Sequence, residues 1–142
     1  MTLSISAAHG PVMSPAGRVD YIPGICNIGP AEIARRRRAG HMGLAVTLVV
    51  LGGLVAVDAP PAARLILVLP AAAAASGYLQ AWLRFCAGFG ARGIFNFGEL
   101  GHADEVVDPV ARARDRAKAR GIGLASLAIG IVVAVAAFVL PL

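Results

Sequence analysis

Charge is what this chain has least of where it is longest. Residues 41–57, 65–83 and 121–142 contain no aspartate, glutamate, lysine or arginine, in runs of 17, 19 and 22 residues. Charged residues make up 15% of the whole, against roughly 25% in ordinary globular domains, while 58% are hydrophobic. A hydrocarbon core of ~30 Å takes about 20 helical residues to cross. The second and third runs meet that length, and the first reaches it by recruiting Gly40 and the snorkelling stem of Arg38. The expected fold is an all-α membrane protein with three transmembrane helices.

The same absence bears on function. Ionisable groups inside a span are the usual mark of an ion or proton path, and these spans have none. Thr47 and Gln80 are their main polar residues, Gln80 being expected to bond a neighbouring helix. A proton-coupled transporter is therefore disfavoured.

Cysteine is scarce too. Cys26 and Cys86 are the only two, too few for a disulfide framework. The chain has no Cys-x-x-Cys pair, and its glycine-rich "GFGARG" lacks the Lys-Ser/Thr pair of a phosphate loop. Its first seventeen residues carry no lysine or arginine, so no cleavable signal is expected. No cofactor is expected.

The basic residues that are present are unevenly placed. Five arginines precede the first span (Arg18 and Arg35 to Arg38), and Arg64 alone lies between the first and second. Seven basic residues from Arg84 to Arg120 lie between the second and third. The positive-inside rule then puts the amino-terminal side and the long loop in the cytoplasm, with the short linker and carboxyl terminus external. The expected location is the cytoplasmic (inner) membrane, multi-pass. Both arginine clusters abut spans and match no nucleic-acid reading motif, so they point to anionic lipid headgroups and not to nucleic acid.

This reading divides the chain into a flexible 1–20, a cytoplasmic or interfacial segment and pre-helix 21–40, and a first span 41–57. An external linker 58–64 joins it to a second span 65–83. A cytoplasmic loop 84–120 then leads to the third span 121–142. Asn27 or Gly29 is expected to cap a helix opening at Pro30. Pro70 is expected about one and a half turns into the second span, a depth where membrane helices tolerate a kink. Asp108 and Pro109 are expected to open an exposed charged helix in which Asp115 pairs with Arg112 or Lys118.

The stretch "RFCAGFGARGIFNFGELGH" (84–102) combines five glycines with four phenylalanines. Its aromatics suit headgroup depth, together with Tyr78 and Trp82. Its glycines permit tight bends. It is read as a re-entrant or interfacial loop packed on "YIPGICNIGP", forming a platform of Asn27, Gly29, Phe89, Gly93, Asn96, Phe97 and Gly98. Small residues at four-residue spacing (Gly52 and Ala56; Ser126, Gly130 and Ala134) mark helix-packing faces.

From these features the leading expectation is a non-enzymatic accessory or assembly subunit, associating with a membrane-protein partner or itself. A second reading is a thiol or metal site on a membrane scaffold, with Cys26, Cys86, His41 and His102 as candidate ligands. A third is a small oligomeric pore or transporter.

Overall fold

The computed structural model describes residues 20–142, so all but the last residue of the amino-terminal segment expected to be flexible lies outside the described residues. The chain is mostly helical. Helix α1 (Pro30–Ala56) has Gly29 at its cap, Pro30 at its first position and Glu32 in its first turn. Gly29 offers no side-chain cap. Asn27, the alternative cap, is used elsewhere. The arginines and the first apolar run form one continuous helix, because nothing between Arg38 and Gly43 breaks it.

A 3₁₀ turn (Pro61–Leu67) leads directly into α2 (Val68–Trp82). Pro70 therefore falls in the first turn of α2 and not in mid-helix. There its missing N–H removes no intrahelical bond. After α2 come a short α3 (Ala87–Arg92), the antiparallel pair β1 (Ile94–Phe95) and β2 (Asp104–Glu105), and a long α4 (Pro109–Val139). Asp108 caps α4 by accepting from the N–H groups of Val110 and Ala111. Among the described residues, three segments are long and apolar enough to cross a membrane: α1, the 3₁₀ turn with α2, and α4, at 27, 22 and 31 residues.

The element formed by the 3₁₀ turn and α2 lies between α1 and α4, and small residues let the backbones meet. A Cβ on Gly77 would stand 2.7 Å from Gly40 Cα, and one on Gly43 2.8 Å from Ala74 Cα. On the other side of α2, a Cβ on Gly130 would meet the Val68 carbonyl at 2.6 Å. Ser126, Gly130 and Ala134 are all buried, so that face packs within the chain. Gly52 and Ala56 are exposed, and nothing lies within 4 Å of a Cβ at Gly52.

At the far end of the bundle, Arg64 is only 6% exposed. It donates to the main-chain oxygens of Ala137, Leu140 and Leu142 at 3.0–3.1 Å. The 58–64 segment is thus tied to the end of α4 and is more than a linker.

Candidate functional site

Residues 21–29 and 84–102 meet at the arginine-rich end of the bundle, and Asn27 is the join. It is fully buried. Its Oδ1 accepts from the Cys86 N–H at 2.6 Å and its Nδ2 donates to the Cys86 carbonyl at 3.1 Å. Its own N–H reaches the Arg84 carbonyl, and its carbonyl accepts from the Asn96 N–H. One turn of chain later, the Gly29 N–H donates to the Asn96 carbonyl at 2.8 Å. Gly29 is there because Phe97 passes so close: a Cβ would sit 2.9 Å from Phe97 Cα.

Asn96 repeats the device within its own loop. Its Nδ2 donates to the Glu99 carbonyl, and its Oδ1 accepts from the Gly98 N–H. Upstream, the Cys86 sulfur caps α3 by accepting from Phe89 N–H, and α3 ends at Gly93 in the left-handed region, at φ 69°. Ile28, Cys86 and Phe89 form a small buried core. The guanidiniums of Arg36 and Arg92 lie 5.9 and 5.6 Å from the Phe89 ring centroid, at cation–π range.

The aromatics of the 84–102 stretch are divided among different jobs. Phe85 is fully buried beside Ala119 and Ile122 of α4. Phe95 stacks on Tyr21 with centroids 4.8 Å apart, and Phe97 lies against Phe95. Trp82 is 80% exposed.

Asp115 departs from its expected place. It is fully buried, accepting from the Tyr21 hydroxyl and from the Gly24 N–H, each at 2.7 Å. It does not pair with Arg112 or Lys118: Arg112 instead reaches Glu105 and the Val106 carbonyl. The reason is position, since this turn of α4 faces the 21–24 turn and not solvent. Burial, then the bond to Asp115, raises the Tyr21 pKa. Glu32 is likewise buried, with Arg35 and Arg36 at 3.7 and 3.6 Å. Nothing but tertiary contact distinguishes these two acids from exposed ones.

Gln80 bonds Ser76 on its own helix and accepts from the Ala87 N–H, so it ties α2 to α3. The four candidate ligands are not gathered. Among the described residues no three His, Cys, Asp or Glu side chains cluster as metal ligands do. His41 instead bonds the Tyr78 hydroxyl at 2.6 Å. His102 is exposed. Both thiols are free and buried. Burial pushes the Cys26 thiol up, against the opposing pull of the Ile28 backbone and of the Arg84 charge.

Beside the platform, a groove of about 980 Å³ opens between the start of α1 and the end of α2. Ile33, Arg37 and His41 form one wall, Tyr78, Leu79 and Trp82 the other. No known family model matches the chain, and no curated protein or solved structure matches it either.

Proposed function

We propose that the protein is a non-enzymatic accessory or assembly subunit of the cytoplasmic (inner) membrane, docking a transmembrane helix of a partner protein against α1. The observation that carries this is the bareness of α1. Only 11% of its apolar window is buried, against 33% and 28% for the other two candidate spans. At Gly52 and Gly53 a Cβ would meet nothing within 4 Å. At Gly43, Gly77 and Gly130 the missing Cβ is where the backbones of neighbouring segments meet, and a flat face of this kind admits another helix closely. The platform supports the reading by holding the 21–29 segment, and so the start of α1, at a fixed position through Asn27 and Gly29.

Purification of the full chain in mild detergent, followed by native mass analysis, tests this. An integral-membrane protein should co-purify with the wild type and be lost from Gly52→Leu, while Gly121→Leu, also in open space, retains it. A monomer alone, a self-associated species alone, or a partner kept by Gly52→Leu would each overturn the reading. The orientation has its own test. Reporter fusions at Gly10 and after Val107 should read cytoplasmic and one at Leu142 external. A cytoplasmic reading at Leu142 would break the three-span topology.

A further inference from the structure

The groove beside the platform carries a second inference, which does not depend on the partner reading. We propose that it binds one anionic phospholipid of the surrounding bilayer, with the phosphate between Arg37 and Arg84 and an acyl chain leaving along the apolar wall past His41 and Tyr78.

Its charge is one-sided. Arg37, Arg84 and His41 line it, and among the described residues no aspartate or glutamate does. The bundle's buried acids, Glu32 and Asp115, are engaged elsewhere, with Arg35 and Arg36 and with the 21–24 turn. Guanidinium groups match phosphate oxygens in geometry as well as charge. Both groove arginines are exposed side chains, available to an incoming anion.

Its depth suits a lipid better than a soluble anion. Arg37 and His41 stand one turn apart where α1 passes from its arginine run into its apolar stretch. Tyr78 and Trp82 are spaced the same way at the end of α2. The pairs face each other, joined by the His41–Tyr78 bond. Charge therefore sits at the outer end of the groove, one turn inward of Ile33, while Tyr78 and Leu79 line it deeper along the spans. That order, cationic then apolar along the direction of the spans, is the order of a phospholipid entering from the headgroup layer. Trp82, exposed at the mouth, has the amphipathic character that favours this layer.

The floor is fixed in advance. Arg84 lies in the left-handed region, at φ 53°, where the chain reverses direction after α2. Its carbonyl is held by the Asn27 N–H and its N–H by the Ala81 carbonyl. The platform thereby sets where the Arg84 side chain starts, on the lining of the same groove as Arg37.

Trp82 is the only tryptophan, so its fluorescence reads the site directly. The full chain in neutral detergent would be titrated with phosphatidylglycerol carrying a brominated acyl chain, and with the matching brominated phosphatidylcholine. Saturable quenching is expected for phosphatidylglycerol, with markedly weaker quenching by phosphatidylcholine. Arg37→Gln and Arg84→Gln should each weaken phosphatidylglycerol binding by about fivefold, the usual scale for one arginine at an anionic surface. Arg38→Gln, one residue along and outside the groove, should leave it unchanged. Should Arg84→Gln fail to fold, Arg37→Gln against Arg38→Gln decides the matter alone. Equal quenching by the two lipids, or equal loss in Arg37→Gln and Arg38→Gln, would overturn the site. Complete displacement of the brominated lipid by millimolar inorganic phosphate would make it a free-phosphate site and overturn the lipid assignment.

Discussion

The side chain of Asn27 brackets the peptide of Cys86 from both sides, accepting from its N–H and donating to its carbonyl across 59 residues of sequence. It pairs with the start of α3 much as a neighbouring strand would. Because Asn27 is fully buried, water does not replace what it provides. Asn27→Ala leaves a buried donor and a buried acceptor unpaired, at about 1–3 kcal/mol each. Thermal unfolding in detergent should show a loss of roughly 2–4 kcal/mol. Asn27→Asp should be no better, since it turns the donor facing the Cys86 carbonyl into an acceptor. An Asp variant as stable as the wild type would mean the bracket contributes little.

The second buried join has a pH dependence with a definite sign. Tyr21 donates to Asp115, and its pKa is raised by burial first and by that hydrogen bond second. The folded state therefore holds the phenolic proton more tightly than the unfolded chain, whose tyrosine titrates near about pH 10. Stabilisation from this pair is fully present below about pH 10 and declines as pH rises above it. Tyr21→Phe should remove that alkaline decline and cost about 1.5–3 kcal/mol at neutral pH, the usual range for a bond to a charged acceptor. A double-mutant cycle with Asp115→Ala should return a coupling of similar size. Identical alkaline profiles for wild type and Tyr21→Phe would count against the assignment.

Glycines at helix crossings should sort by what their missing Cβ would strike. Gly77→Ala drives a methyl into the Gly40 backbone and the Arg36 carbonyl. Separating α1 from α2 should cost at least about 1–3 kcal/mol, the usual range for overpacking. Gly130→Leu should destabilise the monomer itself, since its face meets Val68 and Ala72 of the same chain. Gly52→Ala should leave monomer stability unchanged or slightly raised, through better helix propensity. Equal stability of all three variants would mean that the crossings are looser than described.

These sites differ in how far the sequence announces them. The spans follow from charge-free length alone, because a bilayer imposes one simple requirement. Asp108 with Pro109 is a local signal, and it opens a helix as local chemistry says it should. Asp115 sits seven residues further on with no local signal: its burial depends on a turn 91 residues earlier in the chain supplying Gly24. Gly52 and Gly130 share the same kind of spacing, yet one is bare and the other is buried against Val68 and Ala72. Spacing reports that a face is small, and only the placement of the neighbouring helices says what covers it. The groove is legible only in three dimensions, since Arg37, Tyr78 and Arg84 come from separate segments.

Arg64 is the case where positional reasoning is least informative, because a lone arginine in a short linker reads as solvated. In the structure it is almost completely buried, and its guanidinium fans across three main-chain oxygens at the end of α4. The Ala137 oxygen belongs to the last turn of α4 and carries the partial negative charge of a helix C-terminus, so that contact adds charge–dipole attraction to the three hydrogen bonds. A lysine has a point charge and no planar fork, and it cannot reach all three oxygens in the same geometry. Arg64→Lys should therefore lose part of the stabilisation, and Arg64→Met more, on the order of 3 kcal/mol. The loss should be local first. Amide hydrogen exchange at residues 138–140 should accelerate in both variants, while the platform around Asn27 stays protected. Wild-type exchange at the end of α4 in Arg64→Met would show that the helix holds its C-terminus without this side chain.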